Sequence, residues 1–197
     1  MEISRKEIKR QIFHLFLGIF LVILLHYNLL NKISFFIIVT IAVFICFISK
    51  KMKIPGVYWF FKNFERDIDI IHFPGRGALL FLTGAFIVVL LFPKDIAMAS
   101  ILILALGDSV SHLVGKFGGI RHPFNDKKFL EGSLAGTIIA FIGAVLILNN
   151  SIEAALGAIT AMVAEGFNIE FGKKKIDDNL IIPLISAASI WVIRLFL

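Results

Sequence analysis

The chain has 197 residues, of which 58% are hydrophobic, 21 are phenylalanine and only 17% are charged, with a mean hydropathy of +0.91. A soluble domain carries about a quarter charged residues, so a soluble fold is excluded, and the length suits a single domain over 1–197. The formal net charge of +6 would suit nucleic acid, but its distribution follows membrane topology, and no nucleic-acid partner is expected.

Apolar runs of about 16 to 20 residues, the length a helix needs to cross the hydrocarbon core, predict spans near 12–30, 33–49, 77–92, 95–117, 132–148, 153–168 and 180–197. The expected fold is an all-α, polytopic membrane helix bundle of about seven transmembrane helices. The first run is long enough to span, and no small-residue cleavage site follows it, so it is not read as a signal peptide. Of the 20 Lys and Arg residues, 17 precede the first span, lie between spans two and three, four and five, and six and seven, or, as Lys116, close the fourth span at that side. Only Lys32, Lys94 and Arg194 fall on the other side. The positive-inside rule places the N-terminus in the cytoplasm and the C-terminus outside, in a multi-pass protein of the cell membrane. An even number of spans would break the alternation.

Where the first span begins, Glu7, Arg10 and His14 stand at helical spacing. Arg10 can grip a phosphate with two hydrogen bonds. His14 enters the membrane, as a ligand, a proton carrier or a hydrogen-bonded interior residue. The lone Cys46 lies mid-span and is read as apolar filler. The longest inner connection, 50–76, carries Phe60, Phe61, Phe64, Ile68 and Ile71 opposite Lys62, Glu65, Arg66 and Asp69. This predicts an interfacial amphipathic helix near 57–72, either an anchor or a wall that guides lipid. Gly115 with Gly119, and Gly132 with Gly136, have the spacing that lets helix backbones touch.

The fourth run is over-long, and Asp108 interrupts it. An ionisable group within a span is costly and defaults to function. Ser109, Ser111, His112, Gly115, Lys116, Gly118 and Gly119 follow, and the serines and glycines make a polar, open mouth. The next connection supplies Asp126, Lys127, Lys128, Glu131, Gly132 and Ser133 just before the fifth span. Lysines neutralise phosphate charge, glycines admit backbone N–H groups to an anion, and a helix start adds its positive end. Glu165 sits near the inner end of the sixth span. Asp177, Asp178 and Asn179 offer hard oxygen ligands beside the seventh, a composition suited to Mg²⁺. All these groups fall on the inner, active face. Acids that hold divalent metal, and basic residues with glycines that hold a polyphosphate, suit phosphoryl transfer beside lipid. No GxSxG elbow and no HExxH motif occurs.

GDSVSHLVGKFGG (107–119) followed by NDKKFLEGSLAG (125–136) resembles the nucleotide-binding core of the CTP-dependent lipid kinases. These are dolichol (polyprenol) kinase, phytol kinase and the fungal-type diacylglycerol kinase, within the membrane CTP-transferase group that includes CDP-diglyceride synthase. Glu165 with IDDNLIIPL (176–184) resembles the C-terminal motif of the dolichol kinases. RGALLFLTG (76–84) resembles their third block, and EIKRQIFHLFLG (7–18) their opening block. One position departs: the lysine that follows the arginine in the family is Gln11 here, with Lys9 on the other side of Arg10. The resemblance covers nearly the whole chain in the same order.

The resemblance implies an enzyme that transfers phosphate from CTP to a membrane-embedded isoprenoid alcohol, giving the lipid phosphate and CDP. Its partners would be the lipid alcohol, the nucleoside triphosphate and the bilayer. Its cofactor would be Mg²⁺ or another divalent cation. Arg10, Gly115, Lys116, Lys127, Lys128, Glu131, Gly132 and Ser133 would bind nucleotide. Asp108, Glu131, Asp177, Asp178 and Asn179 would hold metal. Asp108, Glu165 and His14 are the candidates for accepting the alcohol proton. Two rivals stand beside this reading: a cytidylyltransferase making a CDP-activated lipid, and a non-catalytic lipid transporter, whose acids should lie at mid-depth. The alcohol and the oligomeric state, a homodimer among the options, stay open.

Overall fold

In the computed structural model, which describes residues 4–167, 170, 171 and 174–197, helix boundaries follow local capping chemistry. α1 (Arg5–His26) starts where the Ser4 hydroxyl accepts the Glu7 N–H. α2 (Lys32–Lys51) starts with a reciprocal Asn31–Ser34 capping box. α3 (Pro55–Phe64) and α4 (Asp67–His72) are short, and α5 (Arg76–Leu91) follows Gly75, whose φ of 83° suits glycine. α6 (Lys94–Leu102), a π-helical turn (Ile103–Asp108) and α7 (Ser109–Gly115) form one rod, Lys94–Gly115. The hairpin of β1 (Arg121–His122) and β2 (Asn125–Phe129) leads into α8 (Leu130–Val145). α9 (Ser151–Gly166) is capped by Asn150, and α10 (Asp178–Arg194) by Asp177. Between these two, β3 (Glu170–Phe171) pairs with β4 (Lys174–Lys175).

The rod runs through the centre. Every residue from Ile96 to Ala105 is buried, as expected of a helix that is apolar on all sides. α9 packs between α8 and α10, α10 also meets α5, and α2 lies outside against α5. α2 buries Phe35 and Cys46 and turns Ile33, Phe36, Ile37, Phe44 and Phe47 outward. In water such a face would be a liability; against lipid tails it is the natural surface. α1, α2 and the rod are long and apolar enough to cross a membrane, and α5 and α8 are shorter apolar helices.

Polar contacts sort the helix ends into two groups. At one end Lys32 Nζ donates to the Leu90 carbonyl, Lys94 Nζ to the His26 carbonyl, and Arg194 Nη2 pairs with Asp95 at 2.7 Å and Glu153 at 2.6 Å. At the other end the Ser109 hydroxyl donates to the Gln11 carbonyl, Lys6 pairs with Asp67, and Arg76 lies 4.0 Å from Asp177. The second end collects the conspicuous chemical residues of the sequence.

Two expectations need correction. The bundle is not purely helical, because two of the connections at the second end carry small β-hairpins. The amphipathic helix near 57–72 is two helices, α3 and α4, broken at Glu65. Helical periodicity puts Glu65 on a polar outer face. Instead its backbone is extended and its side chain is 2% exposed. The carboxylate accepts N–H groups of Gly77 and Ala78 at the start of α5, where unpaired helix donors favour an anion.

Candidate functional site

Asp108 closes the π turn, a type of helix irregularity frequent at functional sites. His112, one turn later, brings Nδ1 to 3.2 Å from the Asp108 carbonyl and 3.4 Å from its Oδ1. A carbonyl only accepts, so Nδ1 carries the proton in that bond. Glu165, in the last turn of α9, is 1% exposed and accepts the Ser111 hydroxyl at 3.3 Å. β2 then carries Lys128 over this end of the bundle. Its ammonium donates to Glu165 Oε1 at 2.6 Å, to the Glu165 carbonyl at 2.5 Å and to Asp178 Oδ2 at 3.2 Å. Burial alone would lower the Lys128 pKa, but the Glu165 and Asp178 carboxylates hold it above its ordinary value.

The result is a compact charge cluster drawn from α7, β2, α9 and α10. One ligand atom from each of Asp108, His112 and Glu165 lies within 4.8 Å of the others. Asp108 Oδ1 and Glu165 Oε2 are buried and have no hydrogen-bond partner among the described residues. Buried carboxylate oxygens normally find partners. Two carboxylates with oxygens to spare fit Mg²⁺, which is usually held by one or two carboxylates plus substrate phosphates and water.

The other sequence-predicted residues lie at the same end with different partners. Glu131 accepts the N–H groups of Gly119 and Ile120 at 2.8 and 3.0 Å, so its carboxylate closes the turn after α7. Asp177 caps α10 and holds the Asn179 amide at 2.8 Å, leaving Asn179 Oδ1 buried and without a hydrogen-bond partner among the described residues. Only Asp178 of that trio reaches Lys128. Arg10 is 8% exposed and gives two bonds to Glu7, at 2.6 and 3.2 Å. It borders a cavity of about 230 Å³ shared with Glu65, Arg66 and Asp67. His14 is packed edge-on between Phe13 and Phe81, and its Nε2 has no hydrogen-bond partner among the described residues. Lys116 is exposed at the end of α7. Ser133 Oγ is buried in the first turn of α8. The Lys127 side chain lies outside the described residues, as do those of Glu170, Lys174 and Lys175 and the whole of Lys173.

Gly132 is where the loop and rod meet. A Cβ there would sit 2.5 Å from the Ser111 carbonyl and 2.8 Å from the Gly115 Cα, and one at Gly136 would sit 2.7 Å from the Gly107 carbonyl. The GxxxG spacing therefore docks α8 onto the segment that bears Asp108. His112 was not given a role by sequence reasoning, although its i+4 spacing from Asp108 was the available signal. Glu65 carried no such signal. Burial pushes its carboxyl pKa up, while the Ala78 and Gly77 amides oppose the shift.

A helical membrane protein with a buried carboxylate–lysine cluster at one end of its bundle is the class that fold and site define. The chain belongs to the family of the uncharacterized protein MJ1137 of Methanocaldococcus jannaschii, to which it is 31% identical over 188 residues, 92% of this chain and 91% of that one. More distant homologues are named lipid kinases. The chain is 32% identical over 126 residues to the probable phytol kinase, chloroplastic, of Triticum aestivum, covering 55% of this chain and 41% of that one. It is 29% identical over 134 residues to CTP-dependent diacylglycerol kinase 1 of Schizosaccharomyces pombe, covering 60% of each. The chain thus spans less than two thirds of either kinase. No family model and no solved structure matches it.

Proposed function

We propose that this protein is a CTP-dependent lipid kinase of the cell membrane, with seven crossings, a cytoplasmic N-terminus and a cytoplasmic active face. The acceptor is a membrane-embedded alcohol, and the isoprenoid alcohols are the proposed class. One observation carries this reading: half-buried Lys128 bridges Glu165 and Asp178 beside oxygens of Asp108 and Glu165 that have no hydrogen-bond partner among the described residues. Two relatives whose names specify lipid kinases support it.

In this reading Asp108 and Glu165 hold Mg²⁺, with His112 orienting Asp108. The metal supplies charge neutralisation for the phosphate oxygens. Lys127 and Lys128, the first-turn N–H groups of α8 and Ser133 receive the polyphosphate, and Arg10 meets it from α1. Gly115 and Gly132 allow the rod and α8 to close behind it. Glu131 works by holding the 118–120 turn, and Asp177 and Asn179 work by placing Asp178. The lipid hydroxyl oxygen forms a bond to the γ-phosphorus, the bond from that phosphorus to the β–γ bridging oxygen breaks, and CDP leaves. The hydroxyl proton passes to Asp108 or Glu165, at the carboxylate oxygen that the metal would not hold.

The test is purified protein in detergent with Mg²⁺, a panel of lipid alcohols, and CTP labelled at the α or γ position. Transfer of γ-label to lipid is expected. Transfer of α-label would instead identify a cytidylyltransferase, and no transfer from any nucleoside triphosphate would overturn the kinase reading.

A further inference from the structure

Lys128 presents a conflict of occupancy. Its ammonium is a cation held at 2.6 Å by Glu165, the same carboxylate that offers a ligand oxygen to the Asp108–His112–Glu165 group. The remaining Glu165 oxygen and Asp108 Oδ1 are buried and lack hydrogen-bond partners among the described residues. A divalent ion drawn to those carboxylates, each of which has a ligand atom within 4.8 Å of the other and of His112, would meet the ammonium on the shared Glu165 carboxylate. Two cations on one buried carboxylate repel strongly where the dielectric is low.

We propose that Lys128 and a divalent cation compete for Glu165, so that cation binding expels the Lys128 ammonium from the carboxylates and delivers it to the polyphosphate. This deepens the proposed function, on which it rests, by naming how the site is armed. β2 is suited to the movement. It belongs to a short hairpin attached to the bundle by His122 against Gly166, by Phe124 stacked on Phe167 at 4.5 Å, and by Lys128 itself. The first two attachments are made by other residues and can hold the hairpin while the lysine swings. A lysine is a flexible point charge on a four-carbon stem, which an arginine fork is not. The device also keeps the acidic pair neutralised between turnovers, since an uncompensated buried charge is strongly destabilising.

Two measurements test this without nucleotide or lipid, so their outcome is separate from that of the kinase assay. The first is Mn²⁺ binding to purified protein by electron paramagnetic resonance. If part of the site is always held by Lys128, the apparent affinity is reduced by that fraction, and Lys128→Gln should bind Mn²⁺ about tenfold more tightly. Asp178→Asn, which removes one partner of Lys128, should shift affinity in the same direction. Unchanged or weaker binding in Lys128→Gln overturns the proposal. So does weaker binding in Asp178→Asn, which would make Asp178 a ligand. The second measurement uses the wild-type protein and so does not depend on a variant folding. Amine-reactive labelling of Lys128, read by mass spectrometry, should rise several-fold when Mn²⁺ is added, with Lys116 as the exposed reference. Labelling of Lys128 that stays constant or falls would refute the exchange.

Discussion

Asp108 and Glu165 differ in what surrounds them, and their substitutions should differ accordingly. Asp108 Oδ1 has no hydrogen-bond partner among the described residues and lies 3.4 Å from His112 Nδ1 of the same rod. Asp108→Asn removes a charge without stranding a buried cation. It is expected to lower kcat by about 100-fold or more with little change in melting temperature. Glu165→Gln removes the closest partner of a buried ammonium. It should lose activity and also about 3 kcal/mol of stability, the scale for breaking a buried ion pair; thermal unfolding in detergent measures this. Glu65 gives a pH dependence. Its carboxyl pKa is raised in the folded state, chiefly by burial, so the folded protein binds the proton more readily than the unfolded chain. The stability it contributes is present below the unfolded pKa and is lost as pH rises through the folded one. Wild-type melting temperature should therefore fall across that window, and Glu65→Gln should flatten the fall.

Among the elements, the contact between α7 and α8 matters most, because it joins the segment bearing Asp108 to the hairpin bearing Lys128. A methyl group at Gly132 meets the backbone of Ser111 and Gly115 rather than a movable side chain. Gly132→Ala should cost about 1–3 kcal/mol through overpacking and reduce kcat as well, since the two halves of the site separate together. The opposite ends of α6, α9 and α10 are held by Arg194, which grips buried Glu153 with three bonds of 2.6 to 3.1 Å and also pairs with Asp95. Arg194→Ala should lower stability by about 2 kcal/mol and leave kcat unchanged, a contrast with Gly132 that separates structural clamps from the site.

At the scale of the whole molecule, the proposed topology makes a two-sided prediction. With Cys46 replaced by alanine, Asn149→Cys should react with a membrane-impermeant maleimide in intact cells, whereas Lys116→Cys should react only after lysis. Labelling of both from one side would overturn the seven-crossing arrangement. The same geometry explains why charge gathers at one end. The central rod is buried along its middle, which is apolar apart from Ser100, and carries polar residues again from Asp108 onward, where hairpins and helix ends supply partners. Under the proposed function, a site built there exchanges nucleotide with water while a lipid hydroxyl reaches it from the side.

Apolar run length, the asymmetry of Lys and Arg, and the interruption at Asp108 are properties of linear order, so they were legible without coordinates. They indicated a helical membrane bundle and the end at which its acids and lysines gather. Small-residue spacing at Gly132 and Gly136 likewise announced a close helix contact. The pairing of those groups was not legible. Glu131 and Asp177 looked equivalent to Glu165 and Asp178 as oxygen donors, yet each is spent on nearby amides, at Gly119 and Ile120 or at Asn179. Glu65 read as a surface charge until the break between α3 and α4 turned it into the start of α5. Local pattern specifies which residue types occur and which end of a span they occupy. Which carboxylate faces which ammonium depends on helix rotation and long-range packing, and only the tertiary structure decides that.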